Sequence, residues 1–182
     1  MKTFGLAGLL GLLLAGGDAA AHVQAVNPDT QPSFVRLAGG GLAAGSPGLH
    51  SYAFYGFGMR RSAVTRAIGD LSGGVSAMGI SRNCGARPLA FARFRTLTVY
   101  FRNQRFVGWS LAGPRESRPV ESEWQIGIGS SRSDLAEADD AAFRPTARGT
   151  EFVSDGMHGL MTGRGGRARV AAMWAGVTCR RR

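Results

Sequence analysis

The chain has 182 residues, a formal net charge of +10, 28 glycines and two cysteines. That length suits one ordinary domain or two very small repeats, and so much glycine argues for strands and turns over a helix bundle. No grouping of His, Cys, Asp or Glu has the spacing of a metal site, so neither metal nor cofactor is expected.

Lys2 and the apolar run Phe4 to Leu14 read as the n- and h-regions of a signal peptide. The run is too short to cross a bilayer, and Ala19-Ala20-Ala21 offers small residues for cleavage after Ala21. The expectation is a leader over 1–21 and a periplasmic or secreted product with no transmembrane segment. Residues 22–48, with Asn27-Pro28-Asp29 and Gln31-Pro32, read as a flexible lead-in, with a short strand expected at Phe34 to Leu37.

Leu49 to Phe57 reads as an aromatic-rich strand opening a first α+β unit over 49–113. Val64, Ala67, Ile68 and Leu71 fall at i, i+3, i+4 and i+7, one stripe of a short amphipathic helix that Gly73-Gly74 stops. Phe94 to Phe101 and Phe106 to Leu111 read as a hairpin around Arg102-Asn103-Gln104-Arg105. Leu97, Val99 and Phe101 share one face of it, as do Val107, Trp109 and Leu111. If Val107, Trp109 and Leu111 point inward, Phe106 points outward beside the basic turn. Residues 114–123, with Pro114 and Pro119, form a linker. A second unit follows over 124–182, with its own basic turn at Gly163 to Arg167.

The second unit echoes the first. Gly56-Phe57-Gly58 leads after two residues to Arg61-Ser62, Val64 and Ala67; Gly127-Ile128-Gly129 leads likewise to Arg132-Ser133, Leu135 and Ala138. Each helix is followed by a possible hairpin and a Trp near Ala-Gly, at Trp109 and at Trp174. This is the pattern of a duplicated strand–helix–strands unit. Ser131 and Asp134 have the capping-box spacing, which the first helix lacks.

This arrangement resembles the repeat of β-lactamase-inhibitor-protein-like domains and of the small outer-membrane assembly lipoproteins that share their fold. The resemblance covers about residues 50–179. It implies helices packed on an antiparallel sheet, and protein binding in place of catalysis. Departures limit it to the fold: Asn103 and Arg164 stand at the hairpin tips where an inhibitor would present an acid, and no cysteine pair lies within either unit.

In an oxidising compartment Cys84 and Cys179 are most simply one disulfide. Charge is uneven: no acidic residue occurs between Asp70 and Glu116, where seven arginines lie, while acids cluster from Glu116 to Asp140. The two halves neutralise each other across the fold, or an arginine surface meets an anionic partner. Gly127-Ile128-Gly129 lacks the Lys-Ser/Thr of a phosphate loop, and Asp139-Asp140 lacks the alternating oxygens of a calcium loop. Trp109, Trp124 and Trp174 are expected to pack in the core or against the sheet.

The resulting expectation is an α+β fold of two related units, each a short helix on an antiparallel sheet. Its function is that of an exported, non-enzymatic binding module for a macromolecular partner, protein before anionic envelope polymer, and not nucleic acid. The binding residues expected are Arg102, Asn103, Gln104, Arg105 and Phe106, with Arg164 and Arg167 in the second unit. No catalytic residue is assigned. The alternatives are attachment to an envelope polyanion and a secreted hydrolase using His158 with Ser154 and Asp155, which has no Gly-x-Ser-x-Gly elbow.

Overall fold

Residues 34–45, 52–82, 84, 87–116, 120–138 and 141–179 are described by a computed structural model. The expected leader, most of the lead-in and Arg180-Arg181-Arg182 lie outside those residues.

Helix α1 (Arg61–Ser72) forms where the apolar stripe predicts it, with Val64 and Ile68 wholly buried. Burial of each stabilises the fold by about 1.5–3 kcal/mol. It ends at Gly73, whose φ of 73° is left-handed, so that its N–H returns to the Gly69 carbonyl. Helix α2 (Arg132–Ala138) is shorter and starts on a complete capping box. The Ser131 N–H donates to Asp134 Oδ2 at 2.7 Å, and the Asp134 N–H donates to Ser131 Oγ at 3.1 Å.

After α1 come four antiparallel strands: β4 (Ala77–Ser81), β5 (Leu89–Phe94), β6 (Leu97–Arg102) and β7 (Arg105–Ala112). After α2 come four more: β9 (Ala142–Thr146), β10 (Gly149–Ser154), β11 (Met157–Thr162) and β12 (Arg169–Gly176). Pairing of β7 with β12 joins them into one sheet of order β4-β5-β6-β7-β12-β11-β10-β9. A smaller sheet of order β3-β2-β1-β8 uses β1 (Phe34–Ala38), β2 (Gly41–Gly45), β3 (Tyr52–Gly56) and β8 (Glu121–Ser122). Phe34 to Leu37 is thus a strand, as expected, whereas Tyr52–Gly56 and Glu121-Ser122 belong to this second sheet.

The core lies on one face of the large sheet, under the helices and the small sheet. Phe94, Leu97, Val99, Phe101, Trp109 and Leu111 pack there with Val35, Leu37 and Leu42 of the small sheet and Leu135 of α2. The β1–β2 turn seats the small sheet. The Trp109 indole N–H donates to the Ala38 carbonyl at 3.0 Å, and a Cβ on Gly39 would strike the Asp155-Gly156 turn.

The two Gly-apolar-Gly segments make the same connection to the sheet. Gly58 (φ 95°) donates its N–H to the Phe106 carbonyl, and Phe106 donates back to Met59. Gly129 (φ 93°) donates to Val170, and Val170 donates back to Ser130. Left-handed φ at that position favours glycine. Each following strand then breaks register, opposite Tyr100-Phe101 in one case and Leu160-Met161 in the other.

The opposite face carries a second, small cluster. Cys84, just beyond β4, bonds Cys179, just beyond β12, over Leu89, Tyr100, Phe91, Val107 and Val177. The bridge spans 95 residues, so its removal is expected to cost roughly 4–5 kcal/mol by the chain-entropy relation. Urea unfolding of the Cys84→Ser/Cys179→Ser variant against the oxidised parent checks this; equal midpoints would reject it.

The Ser131 N–H holds the Asp134 carboxyl below its ordinary range. A depressed folded value means that this contribution is present above the ordinary carboxylate pKa and fades as pH falls through the folded one. Asp134→Asn is therefore expected to lower stability at neutral pH, with the difference from the parent closing in strong acid. Melting curves across that range measure it.

Candidate binding surface

The β6–β7 turn is the one that the sequence marks. Asn103 and Gln104 both take left-handed φ, 49° and 59°, and both are exposed, as is Arg105. Such a pair of positive φ values matches the right-handed twist of the flanking strands. Arg102 is half-buried.

Phe106 requires a correction: it does not point outward. It is 0% exposed and packs edge-on against Phe57 with ring centroids 5.1 Å apart. The reason is the break in register. Tyr100 faces Gly108 but Phe101 faces Phe106, so β7 carries one extra residue, Val107, at a bulge. The extra residue turns Val107 onto the disulfide face and Phe106 into the core beside Phe101. Strict alternation from Trp109 and Leu111 places both residues on the wrong face.

Arg164 and Arg167 are exposed, and Arg167 ends a 3-10 turn, Gly165–Arg167. They do not join the first group. β7 and β12 run antiparallel, with Ala112 opposite Ala172 and Gly108 opposite Gly176, so the two basic turns lie at opposite ends of the sheet. Strands of eight residues at about 3.3 Å per residue put them ~25 Å apart.

What the β6–β7 turn does meet is the start of α1. The Arg61 N–H donates to the Gln104 carbonyl at 2.9 Å, and Arg60 bridges to Arg105 through the backbone. An open cleft of about 630 Å³ results, lined by Arg60, Arg61, Thr65, Met78, Gln104 and Arg105 among others. The Arg61 guanidinium lies 5.4 Å from the Phe101 ring centroid and 3.5 Å from the Met78 sulfur. Arg105 Nη1 donates to the Gly58 carbonyl at 3.1 Å. Among the described residues, no carboxylate pairs with Arg60, Arg61 or Arg105; the arginine salt bridges found there are Arg95–Glu116 and Arg115–Glu121. Helix α1 adds to the positive field, because its first turn holds no acid.

Arg60-Arg61 and Met78 do not stand out together in the sequence, since the start of α1 and β4 are brought together only by the fold.

On the opposite face of the sheet His158 is exposed and stacks on Trp174 at 5.9 Å. Ser154 is buried and follows Phe152 on the core side of β10, while Val153, paired with His158, faces out. Ser154 and His158 therefore project from opposite faces. The tryptophans also differ: Trp109 is buried, Trp174 sits one position out of phase on the other face, and Trp124 stands exposed in a turn, contrary to the expectation that it packs. His50 lies outside the described residues, and among those described there is no group of three potential metal-ligating side chains.

Compared with known protein families, curated proteins and solved structures, the chain gives no match.

Phe106→Ala is expected to destabilise the fold by about 3–5 kcal/mol, the range for truncating a buried aromatic. Urea unfolding tests it. A loss under 1 kcal/mol would return Phe106 to the surface.

Proposed function

We propose that the protein is an exported, non-enzymatic binding module that captures a macromolecular partner through the arginine cleft at the start of α1 and the β6–β7 turn. The observation that carries this reading is the set of Arg60, Arg61 and Arg105 around one opening with, among the described residues, no carboxylate paired to them. Unneutralised guanidiniums cost little on a free surface and offer planar, two-pronged donors to an anionic partner. Met78 gives the cleft an apolar wall, and Arg61 lies over the buried Phe101 ring, the composition of a protein interface more than of a polyanion track.

The two-unit reading of the chain belongs with this. Its supports are the matching hydrogen bonds of Gly58 and Gly129 and the bulges in β7 and β12. A duplicated unit leaves two basic turns at opposite ends of the sheet. The first of these has a helix start and a cleft beside it, and is the one proposed to bind.

The oxidised protein, immobilised and exposed to an envelope extract, is expected to retain a protein at both low and high salt. Arg60→Ala/Arg105→Ala should reduce that retention several-fold, with stability changed by no more than about 1 kcal/mol. Capture that vanishes with salt would favour an envelope polyanion. Equal capture by the variant would move the site elsewhere.

A further inference from the structure

We infer that the free edge of β4 takes an extended, acidic segment of the partner protein as an added strand. This rests on the binding-module reading and specifies its chemistry.

Among the described residues the large sheet has two outer strands, and they differ. β9 reads Ala-Phe-Arg-Pro-Thr, with Pro145 opposite Thr150 and an exposed Arg144. A proline has no N–H to give and a charge resists burial, so that edge is blunted against pairing. β4 reads Ala-Met-Gly-Ile-Ser and carries neither device. Met78 is 56% exposed and Ile80 65% exposed, an apolar pair on one face of an unprotected edge.

Their place on the sheet is set by pairing. Met78 lies opposite Ala92 and Ile80 opposite Ala90, so both project on the core side, beyond the cover of α1. There they form a shelf that runs into the arginine cleft, since Met78 lines it and touches Arg61. No residue of β3, the outer strand of the small sheet, lines that cleft.

β4 is also held in place as an edge. Cys84, three residues beyond Ser81, is fixed to Cys179, and its Sγ lies 3.2 Å from the Ser81 carbonyl oxygen. At the other end the Ser76 N–H donates to the Arg93 carbonyl at 2.8 Å. The strand thus presents its outer backbone groups in fixed register.

Charge chooses the occupant. A second copy paired edge to edge would bring its own Arg60 and Arg61 against these, in a chain of net charge +10. A segment with two apolar residues at alternate positions, flanked by Asp or Glu two residues away on the same face, fits both features. Its apolar side chains would cover Met78 and Ile80, and its carboxylates would reach Arg61, Arg60 and Arg105. Backbone hydrogen bonds supply affinity and the alternate side chains supply selection, as in other strand additions.

The test uses the oxidised protein and the blocked peptide Glu-Thr-Val-Thr-Val-Thr-Glu, which keeps Val and Glu on one face, with Lys in place of both Glu residues in the basic counterpart. Fluorescence anisotropy is expected to show binding of the acidic peptide and at least tenfold weaker binding of the basic one. Met78→Lys/Ile80→Lys should weaken the acidic peptide about tenfold, the loss of roughly 1.4 kcal/mol of apolar contact. Hydrogen exchange on the parent protein, which needs no variant to fold, should show the amides of 77–81 protected by the peptide. Protection confined to 60–65 and 103–105 would overturn strand addition and leave the binding module standing. Equal binding of the two peptides would overturn the acidic assignment. Protection of 77–81 that grows with protein concentration alone would replace the partner with a second copy. An acidic peptide that does not bind, beside a partner still retained from the envelope extract, would overturn this inference alone.

Discussion

The antiparallel contact between β7 and β12 is the joint on which the molecule depends. Trp109 faces Ala175 and Leu111 faces Met173 across it, so large side chains of one strand lie beside smaller or more pliable ones of the other. Gly108 faces Gly176 at one end, where a Cβ on either would strike backbone of the opposing chain. That closeness lets the Val177 N–H reach the Val107 carbonyl at 2.8 Å and steers the tail toward Cys84. Because the joint also carries the Trp109 indole to Ala38, it seats the small sheet as well. Sheet continuity, core closure and the disulfide all meet at these two strands.

From the same joint follows the separation of charge. The strands before it, β4 to β7, belong to a stretch with no acid between Asp70 and Glu116, whereas Glu151 and Asp155 lie on the far side. Folding does not interleave these halves; it sets them side by side. Among the described residues, the two stretches meet in the ion pairs Arg95–Glu116 and Arg115–Glu121. The cleft at the start of α1 is left at the basic end of a polarised sheet, where an approaching anion is drawn in.

Some of this was legible in the residues. The α1 stripe, its glycine stop, the β6–β7 turn, the Ser131–Asp134 box and the Cys84–Cys179 pairing each rest on a local signal or on simple arithmetic, and each is present. What escaped has physical reasons. β2 is Gly-Leu-Ala-Ala-Gly, which reads as a loop, yet its small residues are what allow it to be buried along its length between β1 and β3. Phe94 to Phe101 reads as one strand because Arg95-Thr96 lacks turn residues, although Arg95 takes a φ of 55° and the chain reverses there. β4, β5, β9 and β10 are short and alternate weakly. The turn residues of the candidate surface were visible, but Phe106 was misplaced by a bulge that no single residue announces. Met78 and Ile80 acquire meaning only once β4 is known to be outermost.

The bridge from Cys84 to Cys179 also decides how the sheet bears load. An outer strand held by hydrogen bonds alone peels from its neighbour one bond at a time when it is pulled. β4 is instead tied, just past its last residue, to the tail of a central strand, across β5, β6 and β7. Tension applied along β4 therefore passes through a covalent link into the middle of the sheet, where it must shear β12 against β7 and β11 together. The strand most open to a neighbour is in this way the one least able to be stripped away by it.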